Sequence, residues 1–405
     1  MLSRRTFLSL LGTAAVAPRM LRAQTKPGGV VLYASVGRTL FQYDVEAAGA
    51  ALTKRGEVTL PASVQYVWPH ASRRFLYVAS SDAGGHHLNA FRIDASGALT
   101  PHGPGIILPS RPIHCCTDIP SEHVLVAFNI PSALRIYAIK PDGTLGAEVE
   151  QKTPVDAGIY AHQVRVAPNN RMVILVTRGN DAAAGHPEDP GALKVFRYER
   201  GMLAGEVSIA PRGGFGFGPR HLDFHPTKPW VYVSRERENV VSLFRMEGDQ
   251  LQPEPAFTKS TLTVPGATRQ LAGTIHIHPS GRFVYAVNRF DSSGTQPGKP
   301  LAAMGENSVA VFAVDQATGE PTAIQHIETG GIHDRTFHID PSGRLLVTAH
   351  VRTLSVTEGA AVRTVSAGFS VFRIGGDGRL EFVRKYDLEV GNEQLFWMGM
   401  VSPAA

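Results

Sequence analysis

The sequence predicts an all-β protein, a seven-bladed β-propeller closed by N- and C-terminal strands sharing one blade. Three observations lead there. From Gly218 to Met246, short runs such as Trp230-Val231-Tyr232-Val233-Ser234 alternate in character between proline and charged turns, the period-2 pattern of consecutive antiparallel strands. A strand of the form apolar–aromatic–x–apolar recurs seven times, beginning at Phe41, Ala90, Ile136, Val195, Leu243, Val311 and Val371. The two ends each hold part of a unit: Phe396 to Pro403 repeats an innermost strand and its proline, whereas Val30 to Val45 supplies the strands that should follow.

In chain order, residues 1–23 stand apart from that fold. Ser3-Arg4-Arg5-Thr6-Phe7-Leu8 matches the twin-arginine export motif, and an Ala-rich apolar segment, Leu8 to Ala17, follows it. That segment is too short to span a bilayer stably and reads as a removable signal. The expectation is a twin-arginine signal peptide over 1–23, handed to the export machinery, and one propeller domain over 24–405. The mature protein is then periplasmic or secreted, with no stable membrane span. The signal carries four arginines and no acidic residue, so the formal charge of +5 falls to +1 without it. Nothing remains to mark a nucleic-acid surface or an anionic membrane patch. Cys115 and Cys116 are the only cysteines and are adjacent, so no ordinary disulfide holds the chain. They read as buried strand residues rather than a soft-metal site.

The blades follow. A series of prolines, Pro69, Pro120, Pro168, Pro226, Pro279 and Pro341, each sits between two apolar strands. The intervals between them accommodate a four-stranded sheet with its turns. Such sheets have two apolar faces and must pack on one another. A radial arrangement leaves only short, protected edges. Segments Gly179–Gly191, Asp291–Ser308 and Val351–Gly368 lengthen three blades between the second strand and the aromatic strand. They should therefore project on one face, where loops on a rigid scaffold usually bind ligands. Gly213 to Gly218, rich in glycine but lacking a strand-then-helix context, reads as a rim segment.

Counting six residues back from each repeat proline, with Pro403 included, gives Ser63, His114, His162, Arg220, Gly273, Arg335 and Trp397. By repeat symmetry these residues begin the innermost strands at the mouth of the central channel. Two histidines and two arginines converge there, positions a purely structural ring would fill with apolar residues. Glu236, closing the second strand of blade five, and Arg269, entering blade six, belong nearby. His221, His276 and Arg335 read as supporting residues. No nucleophile elbow, zinc-helix motif or phosphate loop is present. The set suits proton transfer beside an anion: arginine grips a carboxylate or phosphate with two hydrogen bonds, and Glu or His accepts a proton from water.

Gly218-Pro219-Arg220-His221 through Pro226, Tyr232 to Glu236, Ile275 to Tyr285 and Ala161-His162-Gln163 resemble the seven-bladed propeller lactonase family. This family includes bacterial 6-phosphogluconolactonase and fungal carboxy-muconate lactonizing enzyme. The resemblance runs from about residue 28 to 403. It implies a catalytic set of His162, Arg220, Glu236 and Arg269; from the ring and its neighbours, His114, His221, Arg335 and Trp397 are expected to line the substrate. This chain has Arg235-Glu236 where the family often has Asn-Glu, and the loop after Arg269 is longer. The expected function is an exported lactonase acting on a sugar lactone or related ester, without metal or cofactor. The alternatives are a muconate-type cycloisomerase and a non-catalytic binding propeller.

Overall fold

The computed structural model describes residues 29–264, 270–290, 300–301, 305–358 and 360–404. Residues 1–23, where a twin-arginine signal is expected, lie outside them. The described residues form seven antiparallel sheets of four strands, two carrying an extra short strand, plus a separate hairpin. The innermost strands are Leu395–Val401 in blade one, then Val64–Pro69, Pro112–Thr117, Ala161–Val166, Pro219–Phe224, Gln270–Ile277 and Asp334–Ile339 in blades two to seven. Blade one is closed as the sequence requires: Leu395–Val401 pairs antiparallel with Val30–Val36, Trp397 opposite Ser35 and Met400 opposite Leu32.

The hydrophobic core is divided as a ring demands. Each of seven apolar clusters draws on two neighbouring blades; the one joining blades seven and one includes Leu345, Val347, Leu32 and Met398. Alternation along each strand sends one set of side chains to each neighbour. A second device recurs at four of these joints. A tyrosine near the start of the second strand donates its hydroxyl to a glycine carbonyl in a turn of the next blade: Tyr33 to Gly97, Tyr77 to Gly143, Tyr232 to Gly319, Tyr285 to Gly378. Each glycine has φ between +80° and +87°. A Cβ at Gly378 would meet the Phe283 ring at 2.3 Å, so both conformation and space demand glycine.

Two of the insertions meet among the described residues. The blade-seven insertion forms the hairpin Leu354–Glu358 and Ala361–Val365. It packs Val356 and Val365 on Ile332 and pairs with Leu301 from the blade-six insertion. Residues 211–214 of the glycine-rich rim form a short 3-10 turn leading into blade five.

Candidate active site

Every innermost strand contains a β-bulge at the same place, near its start. The register slips at Gln65, Ile113, His162, Arg220, the Gly273–Thr274 pair, Arg335 and Phe396. A bulge inserts an unpaired residue and re-aims its side chain. Here all seven converge on the axis. Gln65, Ile113, His162, Arg220, Thr274, Arg335 and Phe396 line one axial cavity, with His221 and Trp397 just below the bulges. It is narrow: about 10 Å³ of it is open to a sphere the size of water.

This ring corrects the one read from sequence at four blades. Ser63, His114, Gly273 and Trp397 give way to Gln65, Ile113, Thr274 and Phe396. The anchor of each inner turn is a backbone hydrogen bond across the hairpin, from His70, Asp118, Ala167, His225, His278 and Asp340. In blades four to seven the proline follows this anchor directly. Pro69 precedes it and Pro120 lies one residue further on, so counting from proline misplaces those blades. His114 consequently does not face the cavity. It is fully buried, its ring 3.8 Å from that of Tyr66, and neither of its nitrogens has a partner. Trp397 still lines the cavity, from the position after the bulge.

Behind Arg220 lies the one buried carboxylate of the cluster. Glu236 accepts a hydrogen bond from Arg178 Nη1 at 2.8 Å, contacts Arg289, and lies 2.9 Å from Arg220 Nε. The last contact is ionic only, because the Nε geometry does not make a hydrogen bond. Arg178 and Arg289 were not anticipated, although the repeat contains the signal. Each stands six residues after the first residue of its second strand, Met172, Trp230 and Phe283 being the equivalent starts, and Glu236 occupies the same position. Arg269 lies outside the described residues.

Burial and charge set the protonation state. His162 is held well below the ordinary imidazole range by desolvation first, then by Arg220, Arg335, Arg178 and Arg289. Its Nδ1 is sealed without a partner, which leaves Nε2 for the cavity. His221, its ring 5.1 Å from that of His162, is depressed for similar reasons. Burial first, then the charge of Arg178 on Arg220 and of Arg220 on Arg335, pulls both guanidiniums down to about 9, so both remain cationic at neutral pH. The Arg335 guanidinium stacks on the Phe396 ring at 3.8 Å and has no carboxylate partner among the described residues.

Two other constellations have structural roles. Ser370, His350 and Asp334 are linked at 2.9 Å each and fully buried. The Ser370 hydroxyl spends its proton on the Thr329 carbonyl at 2.5 Å, so His350 donates to it and cannot act as its base. Asp118, Glu122 and His123 come close enough to hold a cation. Asp118, however, already accepts from two backbone amides, His123 and Tyr198, which is a structural staple.

Comparison with known proteins adds the following. The family model described as "Lactonase, 7-bladed beta-propeller" matches residues 30–359. The 6-phosphogluconolactonase of Bacillus subtilis is 25% identical over 324 residues, 78% of this chain and 84% of that one. That of Serratia proteamaculans is 24% identical over 78% and 87%. Among solved structures, the periplasmic gluconolactonase of Pseudomonas aeruginosa superposes with a TM-score of 0.71 at 18% identity, covering 92% of this chain and 99% of that one.

Proposed function

Because the chain belongs to the seven-bladed β-propeller lactonase family, we propose that it is a lactone hydrolase whose general base is His162. One observation carries the reading: a neutral, desolvated imidazole shares a water-sized cavity with two guanidiniums. Among the described residues no serine or cysteine lines that cavity, and the Thr274 hydroxyl donates to the Arg335 carbonyl; in this reading the nucleophile is water. Nε2 of His162 takes a proton from water as the oxygen bonds to the ring carbonyl carbon. Arg220 faces the oxygen that becomes negative. As the tetrahedral intermediate collapses, the ring C–O bond breaks. The departing alkoxide recovers its proton from His162, giving the hydroxy acid. A placed base contributes about 10²–10⁴ in rate and an oxyanion donor about 10²–10³.

Glu236 is a poor candidate for the base. Three guanidiniums occupy its oxygens, and it does not line the cavity. It orients Arg220 and offsets the cations instead. Arg335 is then free to hold an anionic substituent on a sugar lactone or related ester. The twin-arginine motif supports export to the periplasm, the location given for the similar gluconolactonase of Pseudomonas aeruginosa. The test is a pH-stat assay of the purified protein on neutral and acidic lactones. Hydrolysis that disappears in His162→Gln and Arg220→Ala, with folding intact, supports the reading; full activity in His162→Gln refutes it.

A further inference from the structure

The innermost strands carry a second ring of side chains beyond the bulges. Trp68, Arg165, Asp223, His276 and His338 each stand two residues before the turn anchor of their strand, and Gly399 holds the equivalent place in blade one. All six line a pocket of about 380 Å³. Cys116, at the same place in blade three, is fully buried. The pocket lies at the turn-anchor end of the innermost strands and shares Tyr66, Thr336 and Trp397 with the axial cavity at the other end. His276 thus belongs to this ring and not to the catalytic one. A volume of about 300–1,000 Å³ and a mostly apolar lining with a few polar groups are usual for a small-molecule site.

Part of the ring is explained by cohesion between blades. Arg165 donates to Asp223 Oδ1 at 3.0 Å and to the Leu222 carbonyl at 3.3 Å, and lies over the Trp68 ring. Asp223 also accepts from the Phe224 and Ile277 amides and lies 3.5 Å from His276 Nδ1. Burial works against the charge of Asp223, but Arg165 and His276 outweigh it and hold the carboxyl well below its usual range. The opposite charges of Arg165 and Asp223 therefore cancel. His338 is not accounted for in this way. Its Nδ1 is buried without a hydrogen-bond partner, and burial, then the charge of His276, push the imidazole down to about 3, so it is neutral. Gly399 leaves room: a Cβ there would meet the Trp397 ring at 2.7 Å.

We propose that this pocket is a second ligand site and that it binds an uncharged pyranose, with a C–H face on the Trp397 indole and hydroxyls at His338, Thr336 and the Arg165–Asp223 pair. A charged ligand would find no unpaired opposite charge there, and burying a lone charge is costly. A wholly apolar one would strand the imidazole and the hydroxyl without partners. Asp223, His276 and His338 are not gathered closely enough to hold a cation. An uncharged ring with apolar faces and a hydroxylated edge matches the lining on both counts. The inference stands apart from the hydrolase reading.

The experiment is isothermal titration of the purified protein with methyl β-glucopyranoside and its galacto and manno epimers, which contain no lactone, beside gluconate and p-cresol. At least one pyranoside should bind saturably and shift tryptophan emission, and neither gluconate nor p-cresol should displace it. His338→Leu should weaken binding about two- to tenfold, and His338→Gln should weaken it less. His162→Gln, which disables the proposed hydrolysis, should leave the affinity unchanged. Should His338→Leu not fold, saturation-transfer NMR of the wild-type protein decides: transfer concentrated on the protons of one pyranose face supports the site, and uniform or absent transfer overturns it. No saturable binding of any pyranoside, or displacement by gluconate or p-cresol, overturns the inference. So does binding lost in His162→Gln but intact in His338→Leu, which places the sugar in the axial cavity. Lactone turnover without pyranoside binding ends this inference alone.

Discussion

Replacing Glu236 by glutamine separates two roles that a rate measurement alone confuses. The carboxylate is 3% exposed and is the meeting point of Arg178, Arg220 and Arg289. Arg178 keeps Asp181 at 3.7 Å as a second partner, whereas Arg220 has no other carboxylate among the described residues. Glutamine preserves the shape but leaves buried cations facing one another around a neutral amide. Removing one partner of a buried ion pair costs about 3–5 kcal/mol, against a total of roughly 5–15 kcal/mol for a folded domain. With an m-value of about 3 kcal/mol per molar for a chain this long, the urea midpoint should fall by roughly 1–1.7 M. Fluorescence of Trp68, Trp230 and Trp397 follows it. Adding Arg178→Met to Glu236→Gln should recover part of the loss, because the two sites couple through one charge cluster. Lactone hydrolysis should fall with the orientation of Arg220. A Glu236→Gln protein within about 1 kcal/mol of wild-type stability, but slowed about 10³-fold or more, would refute this account and make Glu236 the chemical base.

Three further outcomes are expected. His162→Gln should lower kcat by about 10²–10⁴, and the wild-type rate should persist below pH 6.5 because the base loses function only as pH falls through its depressed pKa. His114 is likewise held below its unfolded value of 6.5, so the folded state binds fewer protons than the unfolded one under acid conditions. Its stabilising contribution is complete above about pH 6.5 and is lost as pH falls, at up to about 1.4 kcal/mol per pH unit; in His114→Phe, urea midpoints at pH 7.5, 6.5 and 5.5 should show a shallower decline. Ser370→Ala should destabilise by about 1–3 kcal/mol yet leave lactone hydrolysis unchanged, and a fluorophosphonate should fail to label Ser370 in the native protein.

The closed ring was legible because its causes are local and repeated. Alternating strands, turn prolines and the incomplete ends all record the need to bury two faces of every sheet. His162, Arg220 and Arg335 were legible for the same reason, since their blades keep proline directly after the turn anchor. Gln65 and Ile113 were missed because the bulge that aims them keeps step with the anchor's hydrogen bond rather than with proline, and a single sequence shows residues rather than bonds. Arg178 and Arg289 carry a signal of another kind, the equivalence among second strands that also contains Glu236. The bulges themselves have no residue signature, as His, Arg, Gln, Ile and Phe all occupy them.

The tyrosine-to-glycine latches lie at the ends of the strands remote from the cavity. Mechanical cohesion and chemical diversity are thereby assigned to opposite sides of the disc. The fastened side keeps the sheets at constant pitch whatever the loops above are doing. The blade-six and blade-seven insertions can consequently lengthen or change without loosening the barrel beneath them. Such a body acquires a new specificity by rewriting one surface and leaving its chassis alone.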